Sequence, residues 1–352
     1  MQPDIKRWSR LAVMIGLPAI LVLIILGIIY EKVGERRDRE HYRQIGRSVD
    51  IGGRTLNIFC SGEGGPAVIF ETFGHSSGYS WSAVQREVAK FSHACWYDRA
   101  AYGWSEPAPM PRTFKSVAND LHALLRAAGV PPPYVLVGAG DAASHIRVYH
   151  GLYPSEVAGV LLLNANGVDD PRGAALYPEN AKGGWEREFG SFAPRVRAAA
   201  CTVFPLLARS GLNRLLTESH KPRRTLTFGL TTEQQAELDF LSDNPTAVQG
   251  SELCAREKSM QQVRAAGNLG AVPLLVLAPE YDFPEEASVP GSAEAAWNKY
   301  QREQVQPGLA RLSTQGKLII ENRPLTAAAV VDAVRQVVTE VRVWSTSAGH
   351  AH

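Results

Sequence analysis

Cysteine is scarce: four among 352 residues, Cys60, Cys95, Cys201 and Cys254. No two of them form a C-x-x-C pair, which argues against a zinc knuckle or a thioredoxin-like dithiol. Excess charge of one sign is lacking too. The 37 Lys and Arg nearly balance the 35 Asp and Glu, leaving +2, and no long basic stripe interleaves with aromatics. A nucleic-acid partner is therefore not expected. No glycine-rich loop precedes a lysine. GAGDAA, residues 138–143, falls short of a dinucleotide fingerprint because Ala143 stands where a third glycine belongs. His93, His122, His145 and His150 are scattered and form no legible metal set. No cofactor and no metal are expected, and no internal repeat is visible.

What is present begins with LAVMIGLPAILVLIILGIIY, Leu11 to Tyr30. A charge-free apolar helix of about 20 residues matches a hydrocarbon layer ~30 Å thick. The run is longer than a signal-peptide core, and EKVGERRDRE follows it in place of a small-residue cleavage site. It reads as a retained single-pass anchor in the lipid bilayer over 11–30, after a tail 1–10 and before a charged linker 31–46. Pro18 is tolerable in a membrane helix. The orientation stays open. Lys6, Arg7 and Arg10 precede the run, while Lys32, Arg36, Arg37, Arg39, Arg43 and Arg47 follow it. That count alone would hold the large domain in the cytoplasm. The even number of cysteines leans toward an oxidising compartment. Cys60 and Cys95 lie in different strands and can be bridged if those strands are neighbours. Cys201 with Cys254 is a second possible pair, and four buried thiols fit equally well.

From Arg47 onward, strands alternate with helices. AVIFETF is a continuous apolar run of the kind buried on both faces. HACWYD, YVLVG and VAGVLLLNA are further strands, and SVANDLHALLRAAG is an amphipathic helix closed by Gly129. This pattern predicts an α/β fold with a doubly wound, mostly parallel sheet. Between about 171 and 270 the strand-like runs vanish, which reads as an inserted helical cap. The core is thus expected over 47–170 and 271–342, with a loose tail at 343–352.

Several blocks resemble the α/β-hydrolase superfamily, in particular a membrane-anchored bacterial esterase-like subgroup. They are YDRAAYGWSEP (97–107), PRTF (111–114), PYVLVG (133–138) and YPSEVAGVLLLN (153–164), in the family's order. The resemblance covers nearly all of 47–343. It implies a nucleophile elbow, G-x-S-x-G, in a turn so tight that its neighbours must be small. Here that turn is Gly138, Ala139, Gly140, Asp141, Ala142, and the serine position is Gly140. Glycine has no side chain with which to attack. Asp141 lies one place past the apex, where an acid is stabilised by the start of a helix. GHSSG, 74–78, matches the motif literally, but it follows the strand whose loop normally supplies an oxyanion-hole N–H. Ser76 is therefore only a weak nucleophile candidate, with His75 beside it.

The resemblance places the triad acid after VPLLVLAP, where Asp282 stands. The other acid position, at the end of VLLLN, holds Asn164. The base histidine should follow GKLII, yet ENRPLTAAAVV contains none. Ala101 replaces a glycine of the family's DRAGYG block. Asp98 and Arg99 are expected to tie loops together, and Trp104 to wall the site. Phe73, Gly74, His75, Ser76, Ala139, Gly140, Asp141 and Trp104 are the candidate lining of a ligand pocket. Lacking both nucleophile and base, the chain is expected to be a non-catalytic relative that binds a small hydrophobic ligand or a protein partner. The alternatives are a hydrolase with a rearranged site and a structural subunit of a membrane assembly.

Overall fold

The computed structural model describes residues 5–41, 43–72, 74, 76–165, 251–252, 254–280, 289–322 and 324–348, with Leu176, Cys201 and Thr231 between them. Helix α1, Ile5–His41, contains the whole run from Leu11 to Tyr30, with Pro18 inside it. Side chains 11–13, 15, 17 and 20 of that run are outside the described set. Among the described residues no helix is long and apolar enough to cross a membrane. The structure by itself therefore does not make 11–30 a transmembrane helix.

The globular part is built on one eight-stranded sheet in the order β1-β2-β4-β3-β5-β6-β7-β8. Its strands are β1 Arg47–Asp50, β2 Thr55–Ser61, β3 Ala67–Glu71, β4 Ala94–Tyr97, β5 Tyr134–Ala139, β6 Val157–Leu163, β7 Leu274–Pro279 and β8 Gly316–Glu321. β1 and β2 form a hairpin, and β2 runs antiparallel to β4. Every other pairing is parallel. The inner strands β3, β5 and β6 are buried at every residue, as strands of almost wholly apolar sequence covered on both faces are.

Helices cover both faces. On one lie α3 (Phe114–Ala128), α4 (Ala142–Leu152), α5 (Arg256–Ala265), α6 (Ala293–Tyr300) and α7 (Gln306–Ala310). Their apolar residues pack with Ile69, Leu136 and Leu162 in one core. On the other face α2 (Ser82–Val88) and α8 (Ala327–Ala348) pack with Phe70, Val137 and Leu161. Thr113 caps α3 in a reciprocal box with Ser116, and Gly129 closes it at φ +73°. The cap expected over 171–270 lies mostly outside the described residues. The tail expected to be loose from 343 is helical as far as Ala348, because no glycine or proline interrupts α8 and Arg342 pins it to the carbonyls of Gly65 and Phe91.

The cysteines pair. Cys60 and Cys95 are opposed on β2 and β4 and are bridged. Cys201 is bridged to Cys254.

Candidate functional site

The turn from β5 to α4 takes the shape of an elbow. Gly138 and Ala139 end the strand, Gly140 forms the apex at φ +54°, and α4 begins at Ala142. The Gly140 N–H donates to the Leu163 carbonyl across 3.0 Å, which ties the apex to the end of β6. The bend is crowded. A Cβ on Gly138 would meet Cδ1 of Ile146 at 2.7 Å and Cβ of Ala142 at 2.9 Å. The small residues demanded by such a turn are therefore all present, and the apex carries a hydrogen.

Ala139 is buried in the core below α2 and α8. Asp141 stands at the N-cap of α4 but makes no side-chain capping bond. The capping role expected for its carboxylate is therefore corrected. An N-cap side chain reaches back from extended backbone, whereas Asp141 is already helical at φ −68°, ψ −22°.

The loop after β3 faces this turn in the sheet order, since Glu71 and Gly138 are register partners. Phe73 and His75 lie outside the described residues. Gly74 adopts φ +52°, and its carbonyl accepts from Nη2 of Arg99. Ser76 is fully buried, and its hydroxyl has no hydrogen-bond partner among the described residues. Ser77 is equally buried but engaged: its Oγ donates to Oδ1 of Asp98 at 2.7 Å and accepts from the Tyr79 N–H. Trp104 is half-buried against the second core, with its backbone N–H 3.1 Å from Oδ2 of Asp98.

Asp282 lies outside the described residues. Asn164 follows β6 at φ +41° and donates its N–H to the Leu277 carbonyl. Between the end of β8 and the start of α8, residues 322–326 include no histidine.

Three clusters escaped the sequence reading. The first surrounds Asp98, which is wholly buried. Its carboxylate accepts four hydrogen bonds, from Asn57 Nδ2, Ser77 Oγ and the N–H groups of Gly78 and Trp104. Burial pushes its pKa above 3.8, and those donors only partly offset the rise. Asp98 and Arg99 were expected to tie loops together, and both hold the loop after β3: Asp98 through Ser77 and Gly78, Arg99 through Thr72 and Gly74. Arg99 pairs with Glu252 at 2.7 Å and reaches Thr72 Oγ1, joining the β3 loop to the segment before α5. Burial alone would lower the pKa of this guanidinium, but Glu252 beside it keeps it charged.

The second cluster is Glu71, His145 and Tyr97. His145 Nδ1 lies 3.0 Å from one Glu71 oxygen, and the Tyr97 hydroxyl donates to the other. Burial, and then the neighbouring carboxylate, drive the Tyr97 phenol well above its usual range. Glu71 shares its side of the strand with Ile69, so the cluster lies between the sheet and α4. It pins β3, β4 and α4 together below the apex. A carboxylate ending an otherwise apolar strand was the one visible signal. The third cluster is Cys60, His93 and Cys95, whose ligand atoms all lie within 4.8 Å of one another.

Comparison with known proteins agrees with this geometry. No family model matches the chain. It is 29% identical over 139 residues to an AB hydrolase superfamily protein of Gibberella zeae, covering 36% of this chain and 43% of that one. The chain spans half or less of the length of the curated relatives it matches first. Among solved structures, a haloalkane dehalogenase loop variant from Bradyrhizobium elkanii superposes with a TM-score of 0.58 at 16% identity. That match covers 86% of this chain and 98% of the dehalogenase. Epoxide hydrolase VrEH1 from Vigna radiata gives 0.55 at 14% identity, over 86% and 98% of the two chains. The protein has the α/β-hydrolase fold.

Proposed function

We propose that the chain is a membrane-tethered α/β-hydrolase-fold protein that has lost covalent catalysis and whose site receives a small apolar ligand or a protein partner. One observation carries this reading: the apex of an otherwise complete elbow is Gly140, at φ +54°. Without a side chain there is no acyl-enzyme, and without a histidine after β8 there is no base to activate a substitute. Replacing catalytic polar groups by glycine and alanine removes atoms that cost about 1–3 kcal/mol each when buried unpaired. A site so emptied suits an apolar guest.

The tether reading rests on α1, where Leu21, Val22, Leu23, Ile24, Ile25 and Leu26 are all exposed. Aliphatic side chains consecutive around a helix suit lipid on every side. The large domain is assigned to the extracytoplasmic side. Two bridges and no free cysteine among the described residues support that side against the Lys and Arg count.

The test is exposure of the detergent-solubilised chain to a fluorophosphonate probe and to short-chain nitrophenyl esters. The expected result is neither labelling nor turnover above buffer, and none in Gly140→Ser either, because the base is still missing. Labelling of the wild-type chain overturns the reading. A second reading, a hydrolase with a rearranged site, is favoured by the unpartnered hydroxyl of Ser76. It would recruit His75, Asp141 or Asp282 as base and predicts turnover that disappears in Ser76→Ala.

A further inference from the structure

The registered pairing of β2 and β4 sets Cys60 directly opposite Cys95. His93 lies two residues before Cys95. Its backbone is fixed by bonds to Gly64 and Val68, and its Nε2 stands 3.8 Å from the Cys95 sulfur. We propose that Cys60, Cys95 and His93 form a zinc site that exists only while the bridge between the two cysteines is open, so that the bridge and the ion compete for the same sulfurs.

The donor chemistry fits. Two thiolates and an imidazole are a recurrent zinc set, with bonds of about 2.3 Å to sulfur and 2.0–2.1 Å to nitrogen. In a tetrahedron those bonds place the donor atoms about 3.5–3.8 Å apart. The three ligand atoms already lie within 4.8 Å of one another, so side-chain rotation suffices to close the site. Cys95 is buried, whereas Cys60 and His93 are half-buried, which leaves a way in for the ion and a position for water as fourth ligand. The notched spacing explains why no C-x-x-C search finds this site: its two sulfurs come from different strands.

The exchange balances. A dithiol reductant attacks one sulfur of the bridge, delivers two electrons and leaves as its own disulfide, with its two protons passing to Cys60 and Cys95. Zn²⁺ then binds both sulfurs as thiolates together with neutral His93, and releases two protons to solvent. Reoxidation by an added disulfide, which takes up the two electrons, and two protons from solvent, and leaves as a dithiol, needs one sulfur released from the ion to attack it. The bound ion therefore protects the thiols, and the bridge excludes the ion. This inference is independent of whether the elbow is catalytic.

The test uses the 352-residue chain in detergent, titrated with Co²⁺ before and after reduction by a phosphine. The expected result is a thiolate-to-cobalt charge-transfer absorption in the reduced chain only, at one ion per chain, and displaced by Zn²⁺. Zn²⁺ should slow reformation of the Cys60–Cys95 bridge at least tenfold. Cys60→Ser and Cys95→Ser should each lose the band, and His93→Ala should weaken Co²⁺ at least tenfold. The proposal is overturned if the reduced chain shows no such band or if the oxidised chain shows the same band. It is also overturned if the band survives in the Cys60→Ser, Cys95→Ser double variant, which would assign it to Cys201 and Cys254. Far-UV circular dichroism accompanies each titration. Loss of the fold on reduction also overturns the proposal, because the site needs β2 and β4 paired.

Discussion

The hydroxyl of Ser77 donates to Oδ1 of Asp98 across 2.7 Å inside a fully buried shell. That bond commits one of the two serines of the GHSSG loop to structure, and it leaves Ser76 as the one with an unpartnered hydroxyl. Asp98 thereby joins β2, the loop after β3 and the turn at Trp104 through a single carboxylate.

Removing that carboxylate strands four donors at once. Asp98→Ala is expected to cost at least about 3 kcal/mol, since each buried donor left unpaired costs about 1–3 kcal/mol. Asp98→Asn is no rescue, because its amide turns a donor toward other donors. Urea melts of both variants check this, and a shift of the midpoint worth less than about 1 kcal/mol would contradict the hub.

Ala101 is held at φ +65°, a left-handed conformation that favours glycine. The strain on an alanine there is about 1–2 kcal/mol, and glycine gives back about 0.4–1 kcal/mol through the looser unfolded chain. Ala101→Gly is therefore expected to stabilise the fold by about 0.5–1 kcal/mol. A thermal melt reads the sign directly.

Arg99 and Glu252 form an ion pair with side-chain exposures of 3% and 17%. Taking away one partner leaves a buried charge, at a cost of about 3 kcal/mol or more. Glu252→Gln and Arg99→Met are each expected to lose that much, and the double variant less than their sum. A double-mutant cycle measures the coupling. The cycle also reports whether the segment before α5 stays docked on the Gly74 loop.

His150 supplies a pH test. Burial lowers its imidazole below 6.5. The unfolded chain then takes up a proton at a higher pH than the folded one, so folding loses stability as pH drops through about 6.5. The loss is complete below the folded value. Urea midpoints of wild type and His150→Leu from pH 8 to pH 5 should diverge in that window, with wild type falling faster.

How much of this was legible depended on how local the signal was. The parallel strands were readable because β3, β5 and β6 carry no charged side chain except Glu71 at the end of β3. The elbow was readable because Gly138, Ala139, Gly140 and Ala142 crowd small residues into one five-residue turn. The Asp98 shell was not, since Asn57, Ser77 and Trp104 belong to separate segments that meet only when β2, β3 and β4 are ordered. The Cys60–Cys95 bridge was offered as one option because strand adjacency is set by topology, which spacing does not encode. Asp141 illustrates the opposite failure. Its residue type and place suggested a cap, but its own backbone is already helical.

The central claim is that the apex at Gly140 leaves no covalent chemistry. Fluorophosphonate labelling followed by peptide mapping tests it most directly. The account predicts no modified serine in the wild-type chain. Stoichiometric modification of Ser76, together with ester hydrolysis that vanishes in Ser76→Ala, would contradict it.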